Sequence, residues 1–223
     1  MQLIDMILNI LLLIGLVQAV WLLVMLYRRR PQTKLAANPL PPLTAIWIVL
    51  WPLYQTDRAV LVGTGLLIVF SILVTYLNRP FFNHLRHILD LQGTERNSLA
   101  AFAIGLFTAS VIFQSVPEFG FATALAICLA LPASQWLDKT GVGKKLGLPA
   151  DPGQRVASHL LLMVATALVT AFALKVYHGI SWGEGAIAAL LAGLAASLGR
   201  ALATRPWQPL SVVAMMATML WVL

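Results

Sequence analysis

Long apolar runs separated by short polar breaks set the pattern of this chain. A helix needs roughly 20 mostly apolar residues to cross the hydrocarbon core of a bilayer. On that scale the runs predict spans over residues 3–27, 59–77, 98–116, 121–137 and 156–175. Shorter runs at 43–54, 185–198 and 209–223 predict three more. The first run closes on Arg28, Arg29 and Arg30. Pro39, Pro41 and Pro42 predict an irregular loop ahead of the second, because proline removes a helix donor and crowds the preceding turn. The 43–54 run carries Pro52, so it crosses with its flanks or lies partly re-entrant. Pro117-Glu118-Phe119-Gly120 predicts a tight turn, and Pro132 interrupts the run that follows. Two polar stretches stand out, 78–97 and 138–155. In the first, His84 and His87 share a face of a short interfacial helix.

Composition turns this pattern into a class. Of the 223 residues, 60% are hydrophobic and 10% charged, and the mean hydropathy is +0.85. Soluble domains carry about 25% charged residues. The chain therefore reads as a single integral membrane domain, residues 1–223, all helical, with about eight spans. No soluble domain, low-complexity linker or internal repeat breaks it up. The N-terminal run is too long for a cleaved leader, Asp5 stands where a basic region belongs, and the three arginines act as a stop-transfer cluster. Cys128 is the one cysteine, so no intrachain disulfide is available.

The net charge of +7 points to a membrane surface rather than to nucleic acid. With both termini on the non-cytoplasmic side and eight alternating spans, 13 basic residues fall inside: Arg28, Arg29, Arg30, Lys34, Arg79, Arg86, Arg96, Lys139, Lys144, Lys145, Arg155, Arg200 and Arg205. Only Arg58 and Lys175 fall outside, while the carboxylates divide evenly. Lysine and arginine in short loops set orientation, so this asymmetry supports the topology. Were the 43–54 run not to cross, Arg28 to Arg30 would oppose every later basic loop.

The chemistry gathers on the same inside face. The 138–155 stretch holds Gly141, Gly143, Gly147 and Gly153 among Lys139, Lys144, Lys145 and Arg155. Free backbone N–H groups and basic side chains both favour a phosphate. A solvated loop whose lysines only fix topology is the alternative. Inside carboxylates are Asp90, Glu95, Asp138 and Asp151, with no DxD or DxxD pair. Asp138 is either a metal ligand or base, or a helix-end charge paired with Lys139. Asp151 lies in a turn sequence. His159 is the one histidine just inside a span, where ionisable residues are functional candidates. Small residues over 188–199, with Gly193 and Gly199, fit close helix packing in lipid. There is no Walker A, GxSxG or HExxH motif.

Several stretches resemble the polyprenol and phytol kinase group, relatives of dolichol kinase and the integral-membrane phosphatidate cytidylyltransferases. Gly93-Thr94-Glu95-Arg96-Asn97-Ser98 looks like the stretch that precedes one of that group's helices. Gly143-Lys144-Lys145-Leu146-Gly147 is similar to its GxxxG, and Arg155-Val156-Ala157-Ser158 stands at its Lys-Ser/Thr-x-Glu-Gly-Ser run. Trp207-Gln208-Pro209-Leu210 is placed like its Asp-Asn-Leu-Thr. The likeness covers roughly residues 80 to 223. It implies CTP-dependent phosphorylation of a long-chain isoprenoid alcohol, with magnesium, in a bacterial inner membrane or a thylakoid-type membrane. It also implies that Gly143, Lys144, Lys145, Gly147, Arg155, Ser158 and Arg96 hold the nucleotide.

The departures from that pattern are specific. The Gly-Asp of the group falls near Pro132-Ala133 or Gln135-Trp136, so Asp138 has to serve as its catalytic and metal-binding carboxylate. The glutamate of the Lys-Ser-x-Glu-Gly-Ser run has no counterpart in residues 154–159. The Arg-Lys-x-x-His expected after the first span reads Thr33-Lys34-Leu35-Ala36-Ala37. Two readings follow: a divergent prenol kinase, or a non-catalytic member of the fold that binds a lipid or a membrane-protein partner. A small transporter is a third. No span carries a mid-membrane charge of the kind coupled transporters use.

Overall fold

A computed structural model describes residues 3–29, 39–89, 91, 96–140, 152–181 and 183–221. Helices make up its regular structure, and no strand occurs among the described residues. In chain order they are α1 (Leu3–Arg29), α2 (Leu40–Ile48), α3 (Asp57–Tyr76), α4 (Pro80–Ile88), α5 (Ser98–Ile112), α6 (Pro117–Leu125), α7 (Leu131–Thr140), α8 (Pro152–His178), α9 (Ala186–Leu202) and α10 (Gln208–Leu220). One π-helical turn, Ala126–Ala130, joins α6 to α7.

Prolines place several of these boundaries, and three differ from the expectation. Pro41 and Pro42 sit in the first turn of α2 instead of before it. The first helical N–H groups have no intrahelical partner, so proline costs little there. Pro117 opens α6 for the same reason, and the turn falls at residues 113–116, where the Val116 N–H donates to the Phe113 carbonyl. Pro152 starts α8 four residues earlier than the apolar run does. Pro132 does not break its span. Proline has no N–H for the carbonyl four residues back, and the π-helical turn just before it takes up the mismatch.

Contacts between helix ends show an up-and-down arrangement. Thr64 meets Ser110, and Arg96 reaches Thr75, so α3 and α5 are antiparallel. Glu118 meets His178, His159 meets Ser197, and Gln208 reaches the Arg200 carbonyl. These set α6–α7 against α8, α8 against α9, and α9 against α10. One end of the bundle gathers Asp5, Tyr54, Glu118 and His178. The other gathers Arg96, Asp138, Arg155, Arg200 and Gln208.

Side-chain burial runs opposite to a soluble protein. On α9 the outward stripe is Ile187, Leu190, Leu194, Leu198 and Leu202, from 46% to 73% exposed. Its inward stripe is Ala189, Ala192, Gly193, Ala196, Gly199 and Arg200, all buried. A contiguous apolar exterior over a small and polar interior is the pattern for lipid as solvent. Four stretches are long and apolar enough to cross a membrane: Leu3–Leu22, Asp57–Tyr76, Pro117–Asp138 and Arg155–His178. Three shorter apolar helices, Leu40–Leu53, Ser98–Ile112 and Ala186–Leu202, run beside them.

Close packing depends on two glycines of α9. A Cβ on Gly193 would come within 2.5 Å of the Met163 carbonyl oxygen on α8. On Gly199 it would come within 2.7 Å of the Ser211 carbonyl oxygen on α10. Backbone cannot move aside as a side chain can, so these positions fix how near α8 and α10 approach. That approach brings the polar residues of three helices together at the basic end.

Candidate functional site

Asp138 lies in the last turns of α7, and Arg200 in the last turn of α9. An Arg200 Nη2 hydrogen bond to Asp138 Oδ2 joins them as an ion pair. The Arg200 side chain is 6% exposed and that of Asp138 18%. Taking a guanidinium out of water costs several kcal/mol unless a carboxylate and good hydrogen bonds offset it. Asp138 supplies that carboxylate.

Neutral groups surround the pair. Gln135, one turn before Asp138, donates from Nε2 to Gln208 Oε1 at 2.9 Å. Gln208 in turn donates to the Arg200 carbonyl at 3.4 Å, fastening the end of α9 to the start of α10. His159 Nδ1 and Ser197 Oγ are 3.0 Å apart, one turn below Arg200. Arg200 Nη1 is buried and has no hydrogen-bond partner among the described residues. A buried guanidinium N–H without an acceptor is costly, so the site has room in its chemistry for an anionic oxygen.

The residues expected to hold a phosphate divide into three groups. Gly143, Lys144, Lys145 and Gly147 lie outside the described residues, as do Asp90, Glu95 and Asp151. Arg155 is exposed in the first turns of α8, at the same end as Asp138. Ser158 is buried and turns inward on its own helix, donating to the Arg155 carbonyl at 2.9 Å. Arg96 is engaged elsewhere. Its Nε and Nη2 both reach the Thr75 carbonyl at 3.4 Å, and its guanidinium lies 5.7 Å from the Tyr76 ring centre. Arg86 joins it there, donating to the carbonyls of Val74, Thr75 and Leu77. Two arginines thus satisfy the orphan carbonyls at the end of α3, where cations are favoured.

Magnesium asks for several oxygen ligands at about 2.0–2.1 Å, usually carboxylates and phosphates. No group of three or more His, Cys, Asp or Glu side chains that could hold a metal occurs among the described residues. At this end the described carboxylate is Asp138, and Arg200 is bonded to it.

The apolar pattern alone places Arg200 at the start of a loop. In the structure it belongs to the helix and to the buried face. The signal was its spacing: Ala192, Ala196 and Arg200 follow at four-residue intervals and share one face. An arginine on a stripe of small residues needs a carboxylate partner, and Asp138 is the helix-end acid available.

The opposite end is built differently. Asp5, fully buried, accepts from the Gln55 N–H at 2.9 Å and the Thr56 hydroxyl at 2.6 Å. Asn9 donates to the Ala59 carbonyl at 3.0 Å and accepts from the Tyr54 hydroxyl at 2.9 Å. Trp47 Nε1 donates to that same hydroxyl at 2.8 Å. Tyr54 sits in the linker between α2 and α3. Sequence reasoning found none of this network, because Asp5, Asn9 and Tyr54 are far apart in the chain and each looks like a span-end residue.

Scanned against protein-family models, curated proteins and solved structures, the chain gives no match, so its likeness to the prenol kinases rests on the motif residues alone.

Proposed function

We propose that the chain is a multi-pass membrane protein that holds a phosphate-bearing group at the end where Asp138 and Arg200 meet. In this reading eight segments cross the bilayer, both termini are non-cytoplasmic, and the basic end faces the cytosol of a bacterial inner membrane or a thylakoid-type membrane. The group bound is the phosphate of CTP. The acceptor is a long-chain isoprenoid alcohol, such as phytol or a polyprenol, entering from the bilayer between helices. Arg200, Arg155 and the lysines at 144 and 145 carry the phosphate charge, and Asp138 holds Arg200 in place. The observation that supports this is the buried Arg200 with one N–H left unanswered among the described residues.

The test uses membranes containing the full chain, labelled CTP, magnesium and phytol or a polyprenol. Transfer of label to the alcohol, reduced at least about tenfold in Arg155→Ala, is the expected outcome; a charged hydrogen bond of about 1.5–3 kcal/mol is worth that factor. Absence of transfer to any of several prenols would overturn the kinase reading. Orientation is checked separately with Lys144→Cys in a Cys128→Ser background. An impermeant thiol reagent should label it only from the cytosolic side of sealed vesicles.

A second reading has its own support. The bond from Arg200 to Asp138 favours a non-catalytic member of the fold. Such a protein binds a phosphorylated lipid or scaffolds a membrane-protein partner. It predicts retention of anionic lipid through purification, lost in Arg155→Ala, with no label transfer.

A further inference from the structure

A cavity of about 180 Å³ opens at the end of the bundle opposite Arg200. It lies between the α2–α3 linker, the α5–α6 turn and the last turn of α8. Four aromatic rings line it, those of Trp51, Tyr54, Phe113 and Tyr177, together with Asp57 and Gln114. Pockets for nucleotides and other drug-sized ligands run to about 300–1,000 Å³. This one is sized for a headgroup.

Charge narrows the class. Asp57 is in the wall. Glu118, next to the lining residue Pro117, is paired with His178 at 2.9 Å. Arg58 lines an adjoining cleft that shares Asp57 and Gln114 with the cavity, and it is not part of the cavity wall. An anion would meet the Asp57 carboxylate, which repels it. No group of three or more His, Cys, Asp or Glu side chains that could hold a bare metal ion occurs among the described residues.

The geometry points to this cavity as a binding site for an organic ammonium group, with Asp57 as counter-ion and the rings of Trp51, Tyr54, Phe113 and Tyr177 as its cage. Ring faces attract such cations, more strongly when water is excluded. The group comes either from the headgroup of a membrane lipid or from a free amine in solution. The site stands apart from the phosphate reading at the other end and does not depend on it.

The experiment titrates the full chain, purified in a maltoside detergent, with tetramethylammonium chloride in a calorimeter, with sodium chloride as the reference. Saturable binding is expected, weakened about tenfold or more in Asp57→Asn and in Tyr177→Leu. A thermal melt confirms that each variant folds, and either folded variant suffices. The same titration in nanodiscs separates the sources. Loss of binding in phosphatidylcholine discs, but not in phosphatidylglycerol discs, assigns the cavity to a lipid headgroup. Equal binding in both assigns it to a free amine. No saturable heat in detergent, or an unchanged affinity in the folded Asp57→Asn protein, overturns the proposal.

Discussion

The two ends of this bundle solve the same problem with different chemistry. Both have to hold polar groups where helices meet with little water. At the basic end a full charge pair, Asp138 with Arg200, ties α7 to α9. At the other end Asp5 is bound by a backbone N–H and a hydroxyl, and Asn9, Tyr54 and Trp47 form a neutral chain. The donors to Asp5 are neutral, so losing that carboxylate strands no charge. Losing Asp138 strands the buried guanidinium of Arg200. The basic end is therefore the more brittle of the two, and Arg200 Nη1 there is a buried donor with no partner among the described residues.

The sharpest way to break the comparison is to remove one member of the pair. Arg200→Ala or Asp138→Ala should lower stability by about 3–5 kcal/mol, because the remaining charge is stranded. Thermal unfolding in detergent measures this. The paired change Asp138→Leu with Arg200→Met should recover most of the loss. If the pair is only structural, the double variant regains every property of the wild type. If Arg200 also holds phosphate, stability returns and phosphate-dependent binding does not. At the other end, Asp5→Ala removes two hydrogen bonds to a charged group and should cost about 1.5–3 kcal/mol. A loss there as large as at Arg200 would refute the contrast.

Gly199 tests how the basic end is assembled. It precedes Arg200 and lies against the backbone of Ser211 and Val212. Gly199→Val would push α10 away and carry Gln208 from the Arg200 carbonyl. About 1–3 kcal/mol of destabilisation is expected from overpacking, read in the same melt. Gly15 and Gly65 have nothing within 4 Å of a built Cβ. Alanine at either should be tolerated, which separates close approach from a general dislike of larger residues.

Much of the helical layout was legible because lipid imposes a length and an apolar composition on anything that crosses it. The starts of α3, α5, α9 and α10 fall within about two residues of the apolar runs, a shift that helix fraying alone gives. What the pattern misread was punctuation. Pro41, Pro42, Pro117 and Pro152 look like breaks in the chain and act as first-turn residues in space. Whether proline stops or starts a helix depends on which side the apolar run lies; apolar residues flank Pro41, Pro42 and Pro117 on both sides, and Pro152 sits among Asp151, Gly153 and Gln154. The candidate site was legible only in part. Asp138 drew attention as a helix-end acid beside Lys139, but its partner is 62 positions away. No local rule links them. Arg96 looked like a phosphate ligand from its motif, and its position just before α5 instead turns it onto the end of α3.

The smallest expected effect lies at the entry to α9, and it concerns how that helix is set before Arg200 is ever reached. Glu184 accepts from the Ser181 N–H at 3.0 Å and the Ser181 hydroxyl at 2.8 Å, while its own N–H reaches back to Ser181 Oγ at 3.4 Å. The reciprocal bonds are those of a capping box, made here in the turn ahead of α9, whose N-cap position is Gly185. These bonds favour the ionised carboxylate and hold it below its ordinary value of 4.5. A carboxyl group depressed in the folded state stabilises it above the unfolded value, and that contribution disappears as pH falls through the folded value. The window therefore lies below pH 4.5, and stability near pH 7 is flat with respect to this group. Glu184 is fully exposed, so solvent screens the effect. Glu184→Gln should lessen the acid-side slope in the melting temperature slightly while leaving the neutral value nearly unchanged. A drop at neutral pH as large as in Asp5→Ala would mean that α9 is positioned from its exposed start, and not from the glycines and the arginine that it buries.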